Sequence, residues 1–223
     1  MEIVRSAKYR LYPSAKQKSL LHNLFGSTRF TYNLFLGKIQ ESYFGQVINK
    51  KTGELVPKIP SEFDLSKALT LFKQEHPFLY SVPNMFLQAE SKNLAFAYKK
   101  FFAKGGYPKY KSRKDKHKSI NCYQGVHAKF DSEYIYLPVA TVSSFQKEDF
   151  KIKYKKHKTN FSQKDKITGY TISKDNLDKY WISFTFKTES RTFKKKRKSV
   201  GIDLGIKDFI ILSDGTKFPN DNL

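Results

Sequence analysis

Apolar positions change their period twice along the chain, and the changes outline its elements. Residues 2 to 12 are rich in Ile3, Val4, Tyr9, Leu11 and Tyr12 and read as a strand that Pro13 ends. Ser14-Ala15-Lys16-Gln17 is a capping box: the Ser14 hydroxyl can accept from the third helical amide while Gln17 reaches back. Behind it Leu21, Leu24, Thr28, Tyr32, Phe35 and Ile39 recur at spacings of three and four, one face of a long helix. Gly26 interrupts that face, as a turn or a close packing point, and Gly45 is a plausible stop. Residues 46 to 60 read as a polar loop with Gly53, Pro57 and Pro60. Ser61 to Asp64 is a second capping signal, opening a helix to about Glu75 that Pro77 closes. Pro83 opens a third helix through Phe102, with Met85, Ala89, Leu94, Ala97 and Phe101 toward a core and Gly105-Gly106 at its end.

After Gly106 the pattern alternates. Strands are predicted at 126–130, 133–138, 150–155, 167–173 and 180–187, the last two forming a hairpin around Asp175-Asn176. The run Lys194-Lys195-Lys196-Arg197-Lys198 reads as a linker into a new unit, Ser199 to Leu204 and Ile206 to Leu212, with a turn at Asp214-Gly215. There is no internal repeat and no low-complexity tract.

Composition narrows the possibilities. The 223 residues carry 42 Lys+Arg against 20 Asp+Glu, a formal charge of +22, and the pI is near 9.8. Apolar types make up 39% and aromatics 16%, enough for a core and too much for a disordered basic tail. One large or two small domains are expected. The single cysteine, Cys122, excludes a disulfide framework and a Cys-based zinc module within these residues. No apolar run reaches the roughly 18 residues of a membrane span, and Met1-Glu2-Ile3-Val4-Arg5 carries no hydrophobic signal region. The expectation is a soluble, cytoplasmic protein with a polyanionic partner.

The charge is clustered. Lys92–Lys118, Lys151–Lys166 and Lys187–Lys198 together hold 24 of the 42 cations. Such surfaces repel themselves unless phosphates neutralise them, which favours nucleic acid. No segment reads as a basic amphipathic helix, so no membrane partner is expected. Tyr and Phe interleave with the lysines, as in Tyr98-Lys99-Lys100-Phe101-Phe102, and suit stacking on bases; an AT-rich genome would inflate the same residues.

The sharpest local feature is Val200-Gly201-Ile202-Asp203-Leu204-Gly205. An acid inside an apolar strand is costly unless something binds it, and flanking glycines allow close approach. Three readings stand: the first-strand carboxylate of an RNase H-like nuclease holding divalent metal, the phosphate strand of an actin-like ATPase (though Ile206-Lys207-Asp208 follows, with no Thr), and a solvated strand-end turn.

Four motifs in order resemble one family. Lys8-Tyr9-Arg10-Leu11-Tyr12-Pro13 with Gln17, then Gly26-Ser27-Thr28-Arg29-Phe30-Thr31-Tyr32-Asn33, resembles the N-terminus of the TnpB (OrfB) proteins of bacterial insertion sequences. Gly106-Tyr107-Pro108-Lys109-Tyr110-Lys111, Tyr180-Trp181-Ile182-Ser183-Phe184 and Val200 to Gly215 resemble later motifs of that family, the last opening its RuvC nuclease domain.

The resemblance implies transposon-encoded RNA-guided DNA cleavage: a guide RNA, a target DNA beside a short adjacent motif, and Mg²⁺ in a RuvC site. It implies an α+β fold, a wedge-type β-barrel interrupted by a helical recognition domain and followed by the first hairpin of an RNase H-like (RuvC) domain. The domains would be 1–13 (wedge strand), 14–104 (helical recognition domain), 105–197 (wedge barrel) and 198–223 (start of RuvC).

Site residues follow by position. Ser66, Asn84 and Gln88 fall where recognition helices meet the adjacent-motif duplex, with Tyr123 and Gln124 on a wedge loop that does likewise; Asn and Gln can read base edges. The basic stretches 99–118 and 151–158, including Lys99, Lys100, Lys109, Lys111 and Arg113, would hold guide-RNA and heteroduplex phosphates. Asp203 would be the catalytic and metal-binding acid.

A RuvC site needs three acids. The last glutamate here is Glu189, and after Asp203 only Asp208, Asp214 and Asp221 follow. The chain therefore reads as the first part of such a nuclease, expected to be inactive alone, the missing remainder of the nuclease domain being a candidate partner. The rival reading is a non-catalytic helix-turn-helix DNA-binding protein or repressor, with 14–25, Gly26 and 27–44 as its two helices. Only Arg29 and Lys38 lie in that second helix, which argues against it as the main DNA reader. A decayed gene product with no selected role is a third possibility.

Overall fold

A computed structural model describes residues 2–127, 129–140, 142, 144–155, 166–189 and 199–220. The chain divides into two compact units, Met1–Glu189 and Ser190–Leu223. The Lys194–Lys198 run and positions 156–158 of the second basic stretch lie outside the described residues.

In the first unit, β1 (Glu2–Tyr12) leads into α1 (Ala15–Gln40), capped by the reciprocal Ser14–Gln17 box. A small hairpin, β2 (Gln46–Ile48) and β3 (Leu55–Pro57), occupies the predicted polar loop. The reason is local: Asn49 accepts from Gly53, whose φ of +73° closes the turn and aligns Val47 with Val56. Next come α2 (Glu62–Glu75), with Ser61 and Asp64 as its capping box, and α3 (Asn84–Phe102).

Two predictions for α1 need correction. The helix runs unbroken through Gly26, so the turn of a two-helix reading is not there, nor is a close packing point: a Cβ at Gly26 would meet nothing within 4 Å. A mid-helix glycine costs about 1 kcal/mol, and Leu24, Phe25, Ser27 and Thr28, all buried beside it, outweigh that. The helix also stops at Gln40 rather than at Gly45, because Ser42 and Gly45 both take positive φ.

Seven antiparallel strands complete the unit: β1, β4 (Lys118–Cys122), β5 (Lys129–Phe130), β6 (Tyr134–Tyr136), β7 (Lys151–Lys155), β8 (Lys166–Lys174) and β9 (Tyr180–Glu189), in the order β4-β8-β9-β1-β7-β6-β5. The sheet curls strongly. Phe130 on β5 stacks 4.9 Å from Phe184 on β9, four steps away in that order; in a flat sheet they would be about 19 Å apart. Two glycines permit the close approach of the β4 end to β8: a Cβ at Gly125 would fall 1.8 Å from the Ile167 carbonyl oxygen, and one at Gly169 would fall 2.3 Å from that of Cys122.

The β4 strand is absent from the sequence reading, although Ile120 and Cys122 alternate with polar neighbours and are buried. The strand expected at 126–130 is only Lys129–Phe130, since Gly125–His127 forms a single 3-10 turn. The expected β8–β9 hairpin is present, its turn organised by Asp175, whose Oδ1 accepts from the Leu177 and Lys179 amides.

The second unit is a three-stranded antiparallel sheet, β10 (Ile202–Asp203), β11 (Asp208–Leu212) and β12 (Lys217–Pro219). Its described residues are exposed or half-buried throughout, including Ile202, Leu204 and Ile206. Among the described residues no helix is long and apolar enough to cross a membrane.

Candidate nucleic-acid interface

The Gly106–Lys111 motif is a strap joining α1 to α3. Tyr107 meets the Tyr98 hydroxyl at 3.1 Å, Pro108 is buried, and Tyr110 donates to Gln40 Oε1 at 2.6 Å. Asn33 grips the Lys111 backbone twice, donating to its carbonyl at 2.9 Å and accepting from its amide at 2.8 Å. Two separate sequence motifs thus meet at one joint.

Lys111 itself turns inward. Its Nζ lies 2.6 Å from Glu90 Oε2 and 4.2 Å from the Tyr32 ring centre. The Glu90 side chain is 1% exposed. Burial raises its carboxyl pKa, and the Lys111 ammonium opposes the rise. The ammonium of Lys111, expected to meet phosphate, is also the cation that pairs with this buried carboxylate. Lys109 and Arg113, on either side, are exposed, as are Lys99 and Lys100; Lys100 lies over the Phe96 ring at 5.0 Å.

Pinning the strap leaves a cationic groove between α1, the segment after the strap, β4 and β8. One compartment of about 320 Å³ is lined by His22, Arg29, Phe30, Phe78, Arg113 and Lys118, among others. A second of about 190 Å³ adds Ser112, Asp115 and His117, and a third of about 340 Å³ adds Lys114, Lys116 and Lys174. Lys118 lines all three.

His22 reports the field. Its pKa is lowered by burial first and then by Lys118, Arg113, Lys174 and Arg29. Asp115, Asp175 and Asp178 are the acids along the third compartment, and Lys174 is paired to Asp178 at 2.6 Å. Arg29, Arg113 and Lys118 form no ion pair among the described residues. Sequence reasoning placed Arg113 and Lys118 in the 99–118 stretch and met Arg29 only as a cation of the helix-turn-helix reading. The spacing of Arg29 from His22 is a signal it did not use: His22 and Arg29 lie seven residues apart, two helical turns along one face.

The predicted base-reading residues lie on α2, α3 and the loop after β4. Asn84, Gln88 and Lys92 follow one another at intervals of four on α3, which aligns them on one face. Lys92 Nζ sits 4.6 Å over the Tyr123 ring, and Tyr123 donates to Asn93 Oδ1 at 2.6 Å, so the loop after β4 leans on this stripe. Gln124 is exposed, its Oε1 2.9 Å from His127 Nε2. Asn84 Oδ1 accepts from Lys73 Nζ of α2 at 3.4 Å. Ser66 is half-buried on α2, one turn beyond Glu62, a carboxylate whose field reaches Tyr123. Asp203, in the other unit, is exposed and pairs with Ile211 across β10–β11.

Among the described residues no three His, Cys, Asp or Glu side chains gather to hold a metal ion. Asp203 alone cannot fix two divalent cations.

Comparison with known proteins gives two results. Residues 1–45 match the helix-turn-helix domain of the OrfB_IS605 type; here that stretch is β1, one continuous helix and the turn after it. Over 222 residues the chain is 28% identical to a putative RNA-guided DNA endonuclease of Streptomyces pristinaespiralis, covering 98% of this chain and 50% of the relative. It is 25% identical over 222 residues to the putative RNA-guided DNA endonuclease InsQ of Escherichia coli K12, covering 98% of this chain and 49% of the relative. The chain thus spans about half the length of these curated relatives.

Proposed function

From the premise that the chain is a relative of the TnpB (OrfB) proteins, we propose that it is the nucleic-acid-binding part of a transposon-associated RNA-guided DNA endonuclease. It holds guide RNA and target DNA, and works in the bacterial cytoplasm near the nucleoid. The observation that carries this reading is the groove of Arg29, Arg113 and Lys118 beside His22, cations that form no ion pair among the described residues, on a chain of formal charge +22. Phosphodiesters supply what the groove lacks, and they do so without sequence preference.

Ser66, Asn84, Gln88, Tyr123 and Gln124 are the proposed readers of the short motif beside the target, since Asn and Gln side chains hydrogen-bond base edges. The curled sheet would be the wedge-type barrel, and β10–β12 the opening of a RuvC domain to which Asp203 contributes one acid.

Purification followed by absorbance at 260 and 280 nm, then RNase, tests the proposal. Co-purifying RNA of defined size is expected. Protein that carries no RNA yet shifts duplex DNA would favour the non-catalytic DNA-binding reading instead.

A further inference from the structure

Strand register assembles a second cationic surface that the groove does not use. On β1, Lys8, Arg10 and Tyr12 alternate with buried Ala7, Tyr9 and Leu11, so they stand on the outer face about 7 Å apart. Directly opposite Arg10 are Trp181 on β9 and Lys155 on β7. Opposite Tyr12 is Lys153, which also faces Tyr134 on β6; Lys151 faces Tyr136. Residues directly opposite share a face of the sheet. One continuous outer surface across four strands therefore alternates cations with rings.

The contacts agree with the register. Lys8 Nζ and Arg10 Cζ lie 4.8 and 5.1 Å from the Trp181 ring, and Lys151 Nζ lies 4.1 Å from that of Tyr134. Lys8, Arg10, Lys151, Lys153 and Lys155 form no ion pair among the described residues, although the charges of Arg10 and Lys151 are felt by the Asp175 and Asp131 carboxylates. The Arg10 Nε–H is buried with no acceptor. Trp181 Nε1 donates to Asp175 Oδ2 at 3.0 Å, which fixes the tilt of the indole.

We propose that this outer sheet face is a platform for an unpaired polynucleotide strand, with Trp181 as the ring on which a base stacks and the five cations as phosphate ligands. It rests on the nucleic-acid reading above and names the strand state and the residues. A duplex keeps its base faces inside its own stack, so rings standing on an open sheet serve only unpaired bases. Cations resting on rings move to phosphate oxygens when a strand arrives, and the ring faces open.

Trp181 is the sole tryptophan of the chain, so its emission reports this place alone. The test titrates the 223-residue chain with unstructured oligo(U), oligo(dT) and a short duplex, each dye-labelled for anisotropy. Single strands are expected to quench Trp181 saturably as they bind, while the duplex raises anisotropy without quenching. The tighter of the two single strands identifies the sugar. Trp181→Ala should weaken single-strand binding roughly tenfold and Trp181→Phe much less, the size set by one stacked ring. Lys153→Gln with Lys155→Gln, both on exposed positions, should weaken it without unfolding risk. Single-strand binding that leaves Trp181 emission unchanged, or that survives both the ring and the charge variants within twofold, overturns the proposal. No anisotropy change with any ligand would instead defeat the nucleic-acid reading itself.

Discussion

Lys111→Ala isolates the joint that shapes the groove. The substitution leaves Glu90 buried, its side chain 1% exposed, without the ammonium 2.6 Å away. Removing one partner of a buried pair costs about 3 to 5 kcal/mol. Lys111 is itself 36% exposed, so water screens part of the pair and the low end applies, about 3 kcal/mol. For a chain of this size that is about 6 to 12 °C in Tm.

The sign of the pH dependence is fixed. Burial raises the folded pKa of Glu90 above its ordinary 4.5, so its contribution to stability is full below that value and is lost as pH rises through the folded value. Losing Lys111 raises the folded pKa further. The deficit of the variant should therefore be largest at pH 8 and shrink toward pH 5, by up to about 1.4 kcal/mol per unit once folded Glu90 holds its proton. Adding Glu90→Gln should recover most of the loss at pH 8. Urea and thermal melts at both pH values, read by circular dichroism, decide it. A variant that melts with its parent at pH 8, or one whose deficit ignores pH and is not rescued by Glu90→Gln, would refute the reasoning.

Further outcomes are expected. Gly26→Ala should stabilise by about 1 kcal/mol in urea melts, since the site is mid-helix and a Cβ there meets nothing within 4 Å; a loss would restore the turn of a helix-turn-helix. Gly105→Ala should destabilise by 1 kcal/mol or more, because its Cβ would fall 2.7 Å from the Lys100 carbonyl oxygen. Polynucleotide binding should raise the lowered pKa of His22, so affinity should tighten as pH falls, followed by the His22 imidazole resonances with and without RNA; an unmoved resonance places the phosphates elsewhere. The exposed β10–β12 sheet should exchange its amide hydrogens within the dead time of a hydrogen-exchange experiment, and slow exchange there would show a hidden partner.

Capping chemistry made the helices legible. Ser14–Gln17 and Ser61–Asp64 sit at the observed N-termini because each box satisfies amides that nothing else nearby can. Gly26 misled for a physical reason: propensity is worth about 1 kcal/mol, and burial on both sides is worth more. The site was half legible. Charge clustering pointed to 99–118, but the inward turn of Lys111 depends on Glu90, twenty-one positions away, and on Asn33 of another helix. That Arg29 and His22 belong with Lys118 and Lys174 was not legible, because only tertiary folding brings them together. The outer sheet face needed the β1–β7 and β1–β9 registers, which alternation alone does not supply.

The most direct test is salt-dependent binding. Anisotropy of a labelled RNA should show micromolar or tighter affinity at about 150 mM salt, with a steep fall of log K against log salt. Replacing Arg29, Arg113 and Lys118 together by Gln should weaken binding and flatten that slope by about three. Absence of binding at that ionic strength, or a triple variant with the parent's slope, would contradict the account.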